Sequence, residues 1–310
     1  MRSLTLNTFG GPEVIEVVDT PVPEPGPHQV RIRVAASSVN PIDLSTRAGR
    51  LVDAGLMVAE PGVGLGWDVA GTVDATGDRV ASYAVGDPVV GLRNLLFAPG
   101  AHADQVVLDE SAIAPAPTSV PLTEAATLPL NALTADRALA LASLERGGTL
   151  LVTGAAGGVG GFVLELAALR GLHTVALARP GDEDLVRDLG AAQVLTSSER
   201  LGLGVRRLVP GGVDAVVDAA MLGIAAHDGL RDGGTFVALV APFAPPPIRG
   251  TRVVVQEVVA DGTRLTELAA LVDAGRLTLR VAEELPLDEA SKAHQLVEAG
   301  GLRGRVVLVP

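Results

Sequence analysis

Two hydrophobic periods divide this chain. Up to about residue 121 the apolar positions come in short bursts with period two. Val30-Arg31-Ile32-Arg33-Val34 alternates apolar and polar, which predicts a strand with one face in a core and the other in water. Pro21, Pro23, Pro25 and Pro27 punctuate the approach to it. Segments 69–73, 80–84 and 88–91 read as further short strands between Gly and Asp turns. The pattern predicts a compact, irregular barrel.

From about residue 122 the period lengthens. Thr123-Glu124-Ala125-Ala126 opens a helix with Thr123 as its N-cap, and 135–144 is a second helical run. Strand-like segments then follow at 149–153, 174–178, 193–195, 213–218 and 235–240. Helical runs lie between them at 158–170 and 183–189. Such alternation predicts a parallel sheet covered by helices on both faces. Segment 253–259 reads as the last strand of that sheet. An amphipathic helix at 265–274, a strand at 278–281, a helix at 287–299 and a strand at 305–309 close the chain. The proline run at 244–247 is a stiff surface loop rather than a domain linker.

The most informative junction joins the strand at 149–153 to the helix after it. The connecting residues are Gly154, Ala155, Ala156, Gly157, Gly158, Val159 and Gly160, with spacing G-x-x-G-x-x-G. Glycines let the backbone turn sharply and approach a pyrophosphate with no Cβ in the way. The helix then offers free N–H groups and its positive dipole end. The alternative is a glycine-rich turn of an ordinary α/β protein, and the placement between strand and helix favours dinucleotide binding.

Length and composition agree. A chain of 310 residues, 48% apolar, suits two domains with a large core. A net charge of -12 argues against nucleic acid and anionic membranes as partners. Lys292 is the only lysine, the bias of a GC-rich, bacterial genome. No cysteine is present, so neither a disulfide nor a thiolate metal site is available. The N-terminus reads as a strand and not a signal peptide, and no apolar run is long enough to span a membrane. A cytoplasmic protein is expected.

Several separated motifs occur in a telling order: Val39-Asn40-Pro41-Ile42-Asp43, Gly66-Trp67-Asp68-Val69-Ala70-Gly71, Val85-Gly86-Asp87-Pro88-Val89, Ala125-Ala126-Thr127-Leu128-Pro129-Leu130, Leu133-Thr134-Ala135, and the glycine turn. In these the chain resembles the medium-chain dehydrogenase/reductase superfamily, in its zinc-free quinone oxidoreductase branch. The resemblance implies an α/β fold in which a doubly wound Rossmann sheet is inserted in a GroES-like β-barrel domain. The expected boundaries are 1–121 for the first part of the barrel domain, 122–258 for the Rossmann domain and 259–310 for the rest of the barrel. It also implies a cleft between the domains and a two-fold homodimer built at the exposed edge strand around 252–259.

Zinc-dependent members of the superfamily carry a cysteine where this chain has Asn40. They carry a histidine at Trp67, a glutamate at Asp68 and a cysteine at or near Leu130. Asn, Trp and Leu cannot assemble a tetrahedral zinc site, and the five histidines are scattered without ligand spacing. No metal is expected. By the same resemblance Thr134 lies near a nicotinamide, and Ser197 stands where some members contact the adenosine phosphate. The strand ends Asp218 and Val240 are counted with the cofactor site.

A site for NAD usually ends its second strand with an acid for the ribose hydroxyl. Here that strand ends Leu177-Ala178-Arg179. Arginine can pair with a 2′-phosphate, so NADPH is favoured over NADH. A solvated turn arginine beside Asp182 and Glu183 is the plain alternative. Hydride would then pass to a small electron-poor acceptor, a quinone or an α,β-unsaturated carbonyl, whose conjugation spreads the developing charge. Asn40 and Asn131 are candidate oxyanion donors and Trp67 a candidate substrate wall. Each also has a structural reading: Asn40 satisfying the turn before Pro41, Asn131 capping a helix, Trp67 anchoring a core. The competing function is an NADPH-binding sensor or structural protein with little turnover.

Overall fold

The computed structural model describes residues 1–93, 100–196 and 200–310. They form two compact units. The first comprises Met1–Leu130, Val259–Gly275 and Leu279–Pro310, and the second Asn131–Val258 with Arg276–Thr278. The boundary expected at 121/122 falls inside the first unit, because helix Leu122–Ala125 packs on strands Gln29–Val39 and Asp68–Thr76.

Strand Gln29–Val39 is the spine of the first unit. It pairs with Asp68–Thr76, Gln105–Asp109 and Arg305–Val309, all antiparallel. Its first half alternates as the sequence dictates, with Val30, Ile32 and Val34 buried. The register against Asp68–Thr76 shifts between Val34 and Ala36, and from Ser37 to Val39 every residue is buried. A bulge of this kind re-aims side chains, and it carries the polar Ser37 and Ser38 into the interior. Two cores result. Val30, Ile32, Val69, Val73, Val89 and Val106 fill one. Leu4, Leu6, Val39, Leu65, Val306 and Leu308 fill the other. Each fully buried side chain of this size contributes about 1.5–3 kcal/mol of transfer free energy. A small sheet, Ile15–Asp19, Arg2–Leu6 and Val63–Gly64, lies beside the second core.

The second unit holds a six-stranded parallel sheet in the order Gln193–Leu195, His173–Leu177, Thr149–Thr153, Val213–Asp218, Leu230–Ala238, Arg252–Val255. Chain order reverses between Thr149–Thr153 and Val213–Asp218, the arrangement of the doubly wound nucleotide-binding sheet. Helix Gly158–Leu169 forms despite three glycines in its first turn, which cost roughly 1 kcal/mol each against alanine. Burial of Phe162, Val163, Leu164 and Leu166 offsets that cost. No helix among the described residues is long and apolar enough to cross a membrane.

Four expected elements differ. Segment 80–84 is not a strand. The Asp87 carboxylate accepts from the Ala84 N–H at 2.8 Å and closes a turn there. Thr123 is not a cap but lies within helix Leu122–Ala125, whose N-cap is Pro121. The last strand of the parallel sheet is Arg252–Val255, shorter than the apolar run, since only these residues register against Thr235–Ala238. The strand expected at 278–281 begins at Val281, where pairing with Arg305–Val309 starts, and the Thr278 N–H instead donates to Glu165.

One core side chain is ionisable without a partner. His294, on helix Ala290–Ala299, is fully buried and meets the His102 ring edge-on at a centroid distance of 6.5 Å. Neither of its ring nitrogens has a hydrogen-bond partner among the described residues. Burial, with the His102 and Arg47 charges adding to it, pushes its pKa down to about 3. Below pH 6.5 the unfolded chain therefore takes up a proton that the folded one refuses, and stability falls until about pH 3. From pH 6.5 to 4 the loss is about 3 kcal/mol. His294→Phe keeps a ring and removes the titration. The decline of the urea midpoint between pH 7 and 4.5 is expected to be shallower in that variant. Parallel declines in the two proteins would exclude His294 as a source of acid lability.

Candidate functional site

Strand Thr149–Thr153 runs into Gly154, whose φ of +59° only glycine adopts readily. A side chain at residue 154 would also press on Ala219 and Ala220 at 3.3 Å. The Gly157 N–H donates to the Gly154 carbonyl at 2.9 Å and closes the turn. A Cβ on Gly160 would lie 2.2 Å from the same carbonyl. Gly154 and Gly160 are thus required by the fold itself. Gly157, the N-cap of helix Gly158–Leu169, is different. Among the described residues a Cβ there would meet the Gly154 carbonyl, at 3.1 Å. The first N–H groups of a helix have no intrahelical acceptor, so Gly158, Val159 and Gly160 present donors beside the turn. Ala155 and Ala156, both buried, complete the turn. The geometry fits the pyrophosphate of a dinucleotide.

Arg179 follows the second strand, His173–Leu177, and is exposed. Its guanidinium makes no hydrogen bond or ion pair among the described residues. Glu183 beside it accepts from the Gly181 N–H at 2.7 Å, and Asp184 pairs with Arg187 at 2.8 Å. Asp218 ends strand Val213–Asp218 in the interior. Its carboxylate accepts from the Thr153 hydroxyl at 2.6 Å and from the N–H groups of Leu222 and Gly223 at 3.2 and 2.8 Å. Val240 caps the short turn Ala241–Phe243 and is partly exposed. Asn131 and Thr134 lie buried on helix Pro129–Ala142. Ser197 lies outside the described residues.

Asn40 belongs to a buried polar cluster of the first unit. It is the N-cap of helix Pro41–Arg47, where Pro41 fills the first helical position. Its backbone N–H donates to Asp43 at 2.9 Å, and its side-chain amide donates to Asp68 at 2.6 Å and to the Ser38 hydroxyl at 3.0 Å. Ser38 donates to the same Asp68 oxygen, and the Leu130 N–H donates to the other at 2.5 Å. Asp43 also accepts from the Gly66 N–H at 2.8 Å. Burial pushes the Asp68 carboxyl up to about 6, against the Ser38, Leu130 and Asn40 hydrogen bonds that favour its charge. Both amide hydrogens of Asn40 therefore point at acceptors of the protein.

The Trp67 ring carries the Arg93 guanidinium at 5.1 Å. Arg93 is buried, donates to the Gly64 carbonyl at 3.0 Å, and has its pKa lowered by burial to about 10, which leaves it charged at neutral pH. A desolvated cation on an indole face is worth about 2 kcal/mol. This contact accounts for Trp67 as an anchor.

Zinc does not suit these positions. Asn40 offers a neutral amide oxygen in place of a thiolate, the Trp67 indole offers only an N–H donor, and Leu130 offers no ligand atom. Among the described residues no group of three or more His, Asp or Glu side chains is placed to hold a metal ion.

Sequence reasoning missed Ser38, Thr153 and Arg93. Ser38 sits in an alternating strand where a serine reads as a surface residue, and only the bulge turns it inward. Thr153 was hidden by its own strand propensity.

The comparisons with known proteins identify the family and the fold. Residues 26–118 match the alcohol dehydrogenase GroES-like domain, and residues 189–308 match a zinc-binding dehydrogenase family. A quinone oxidoreductase of Pseudomonas aeruginosa is 31% identical, over 100% of this chain and 99% of its own length. An NADPH-dependent alkenal/one oxidoreductase of Arabidopsis thaliana is 30% identical over 100% of this chain and 80% of its own. The solved quinone oxidoreductase of Coxiella burnetii superposes with a TM-score of 0.90 at 31% identity, covering 100% of this chain and 99% of that one. The chain belongs to the medium-chain dehydrogenase/reductase superfamily, in its quinone oxidoreductase branch.

Proposed function

We propose that this protein is a metal-independent reductase that uses NADPH to reduce quinones or α,β-unsaturated carbonyl compounds. The observation that carries the reading is the glycine turn 154–160 at the helix N-terminus, with the exposed Arg179 guanidinium, uncommitted among the described residues, at the end of the next strand. NADPH supplies the hydride. The helix N–H groups of Gly158, Val159 and Gly160 neutralise the pyrophosphate, and Arg179 pairs with the 2′-phosphate. Thr134 and Asn131 are assigned to the nicotinamide end. The names of the similar Arabidopsis and Pseudomonas proteins support both the cofactor and the acceptor class. With an acceptor whose negative charge is delocalised by conjugation, orientation and a dry site can replace a Lewis acid.

The test is NADPH oxidation against a panel of quinones, enones and enoyl thioesters. Turnover with any of these classes supports the reading. Tight NADPH binding without turnover would instead favour a cofactor-binding protein. Arg179→Ala is expected to weaken NADPH binding by about tenfold to a hundredfold, the worth of one charge-assisted contact, with NADH binding unchanged. Gly157→Val places a branched side chain at the N-cap against the proposed pyrophosphate site and is expected to abolish binding of both nucleotides while the far-ultraviolet dichroism is retained. Equal affinity of the parent protein for NADPH and NADH would remove the role given to Arg179.

Asn40 is proposed to act through Asp68. Asn40→Ala strips one donor from a buried carboxylate and is expected to cost about 1–3 kcal/mol of stability in urea denaturation. If the residue instead donated to a substrate oxyanion, the same variant would lose about a hundredfold in hydride-transfer rate at unchanged stability.

Assembly follows from the sheet edge. Arg252–Val255 is the last strand of the six, and Val255 is 44% exposed. An open strand edge of this composition invites pairing with another chain. A two-fold homodimer through this edge is proposed. Light scattering is expected to give twice the 31.5 kDa chain mass, and a monomer at micromolar concentration would count against it.

A further inference from the structure

We propose that Thr153 and Asp218 form a latch that holds the two rims of the cofactor crevice at fixed spacing, as positioning residues that do not touch the cofactor. The inference rests on the NADPH reading above.

The two residues end adjacent parallel strands and are register partners. Beyond them the chain departs in opposite directions. From Thr153 it leads to strand His173–Leu177 on one side of the pair, and from Asp218 to strand Leu230–Ala238 on the other. The crevice of a doubly wound sheet opens where neighbouring connections diverge in this way. Among the described residues no backbone–backbone hydrogen bond joins turn 154–157 to loop 219–223.

Thr153 and Asp218 supply the tie. The Thr153 hydroxyl donates to Asp218 at 2.6 Å and accepts from the Ala220 N–H at 2.9 Å. Asp218 takes the Leu222 and Gly223 N–H groups. Three N–H groups of loop 219–223 are therefore bound to the two strand ends. The loop needs that hold, because Met221 has a left-handed φ of +57° and Gly223 one of +55°. A non-glycine residue in that region costs of order 1–2 kcal/mol. The same loop closes the space beside the glycine turn: a Cβ on Gly154 would lie 3.3 Å from Ala219 and Ala220. Loosening it shifts the wall of the glycine turn. With both carboxylate oxygens engaged inside the protein, Asp218 shapes the site and is not a ligand in it.

The test compares Thr153→Val, Thr153→Ala and Thr153→Ser. Valine keeps the shape without the hydroxyl, alanine removes both with less packing strain, and serine restores the hydroxyl. NADPH dissociation constants at 25 °C, kcat and KM for NADPH, and thermal midpoints are measured on each. The latch predicts a dissociation constant raised about tenfold in the valine and alanine variants, within about twofold of the parent in the serine variant. KM for NADPH should rise in step. A merely stabilising hydrogen bond would lower the thermal midpoint and leave the dissociation constant unchanged in protein that is still folded at 25 °C. That result, in either the valine or the alanine variant, overturns the latch. A parent protein that fails to bind NADPH overturns the cofactor reading, and the latch with it. Parent binding with unaltered variants overturns the latch alone.

Discussion

Helix Gly158–Leu169 sits so close to the turn that feeds it that one carbon on Gly160 would reach 2.2 Å from the Gly154 carbonyl. That contact fixes the second unit. It sets the height at which the helix N-terminus meets the end of strand Thr149–Thr153, and hence where its free N–H groups point. The helix is a poor one by intrinsic propensity. It holds because Phe162, Val163, Leu164 and Leu166 are buried further along. Local propensity has yielded to the need for backbone proximity, as happens where a backbone must approach a ligand.

Each unit also buries a carboxylate at a strand end, and each saturates it. Asp68 takes a serine hydroxyl, an asparagine amide and a backbone N–H. Asp218 takes a threonine hydroxyl and two backbone N–H groups. A buried charge is tolerable only with such partners. In return it is a rigid point from which several backbone segments are referenced. Asp68 ties the Asn40 turn to the start of helix Pro129–Ala142, and Asp218 ties the diverging loops of the sheet.

The sequence disclosed the α/β fold, the alternation of the second unit and the glycine turn, because these depend on periodicity and on glycine, which are local properties. Arg179 was legible for the same reason, as the residue that ends a predicted strand. What could not be read were the partners of polar residues. Asn40 looks like a candidate donor in sequence, and only the fold shows its amide turned to Asp68 and Ser38. Thr153 looks like one more β-branched residue until Asp218 is found opposite it. The Val80–Ala84 stretch looks like a strand, yet the neighbouring Gly86 and Asp87 make a turn whose hydrogen bonds take precedence. In each case the deciding contact is non-local or lies with a turn residue, and hydrophobic period carries no record of it.

The positions at which zinc-dependent members of the superfamily would place ligands follow a consistent charge logic in this chain. A cation there would balance the neighbouring carboxylates. Here Asp68 accepts from Ser38, Asn40 and the Leu130 N–H, the Arg305 guanidinium is attracted to it, and burial still raises its pKa. A second cation, the buried Arg93, is attracted to Asp43, lies on the Trp67 ring and donates to the Gly64 carbonyl. Restoring one cysteine or histidine would therefore not recreate a metal site. The donors that face Asp68 would remain, and each would have to be turned away before a lone pair could reach a metal. Asn40 and the Leu130 backbone N–H meet on one carboxylate while Trp67 is tied to Arg93, so returning a ligand to residue 40 alone would still leave Asp68 holding the Ser38 and Leu130 donors.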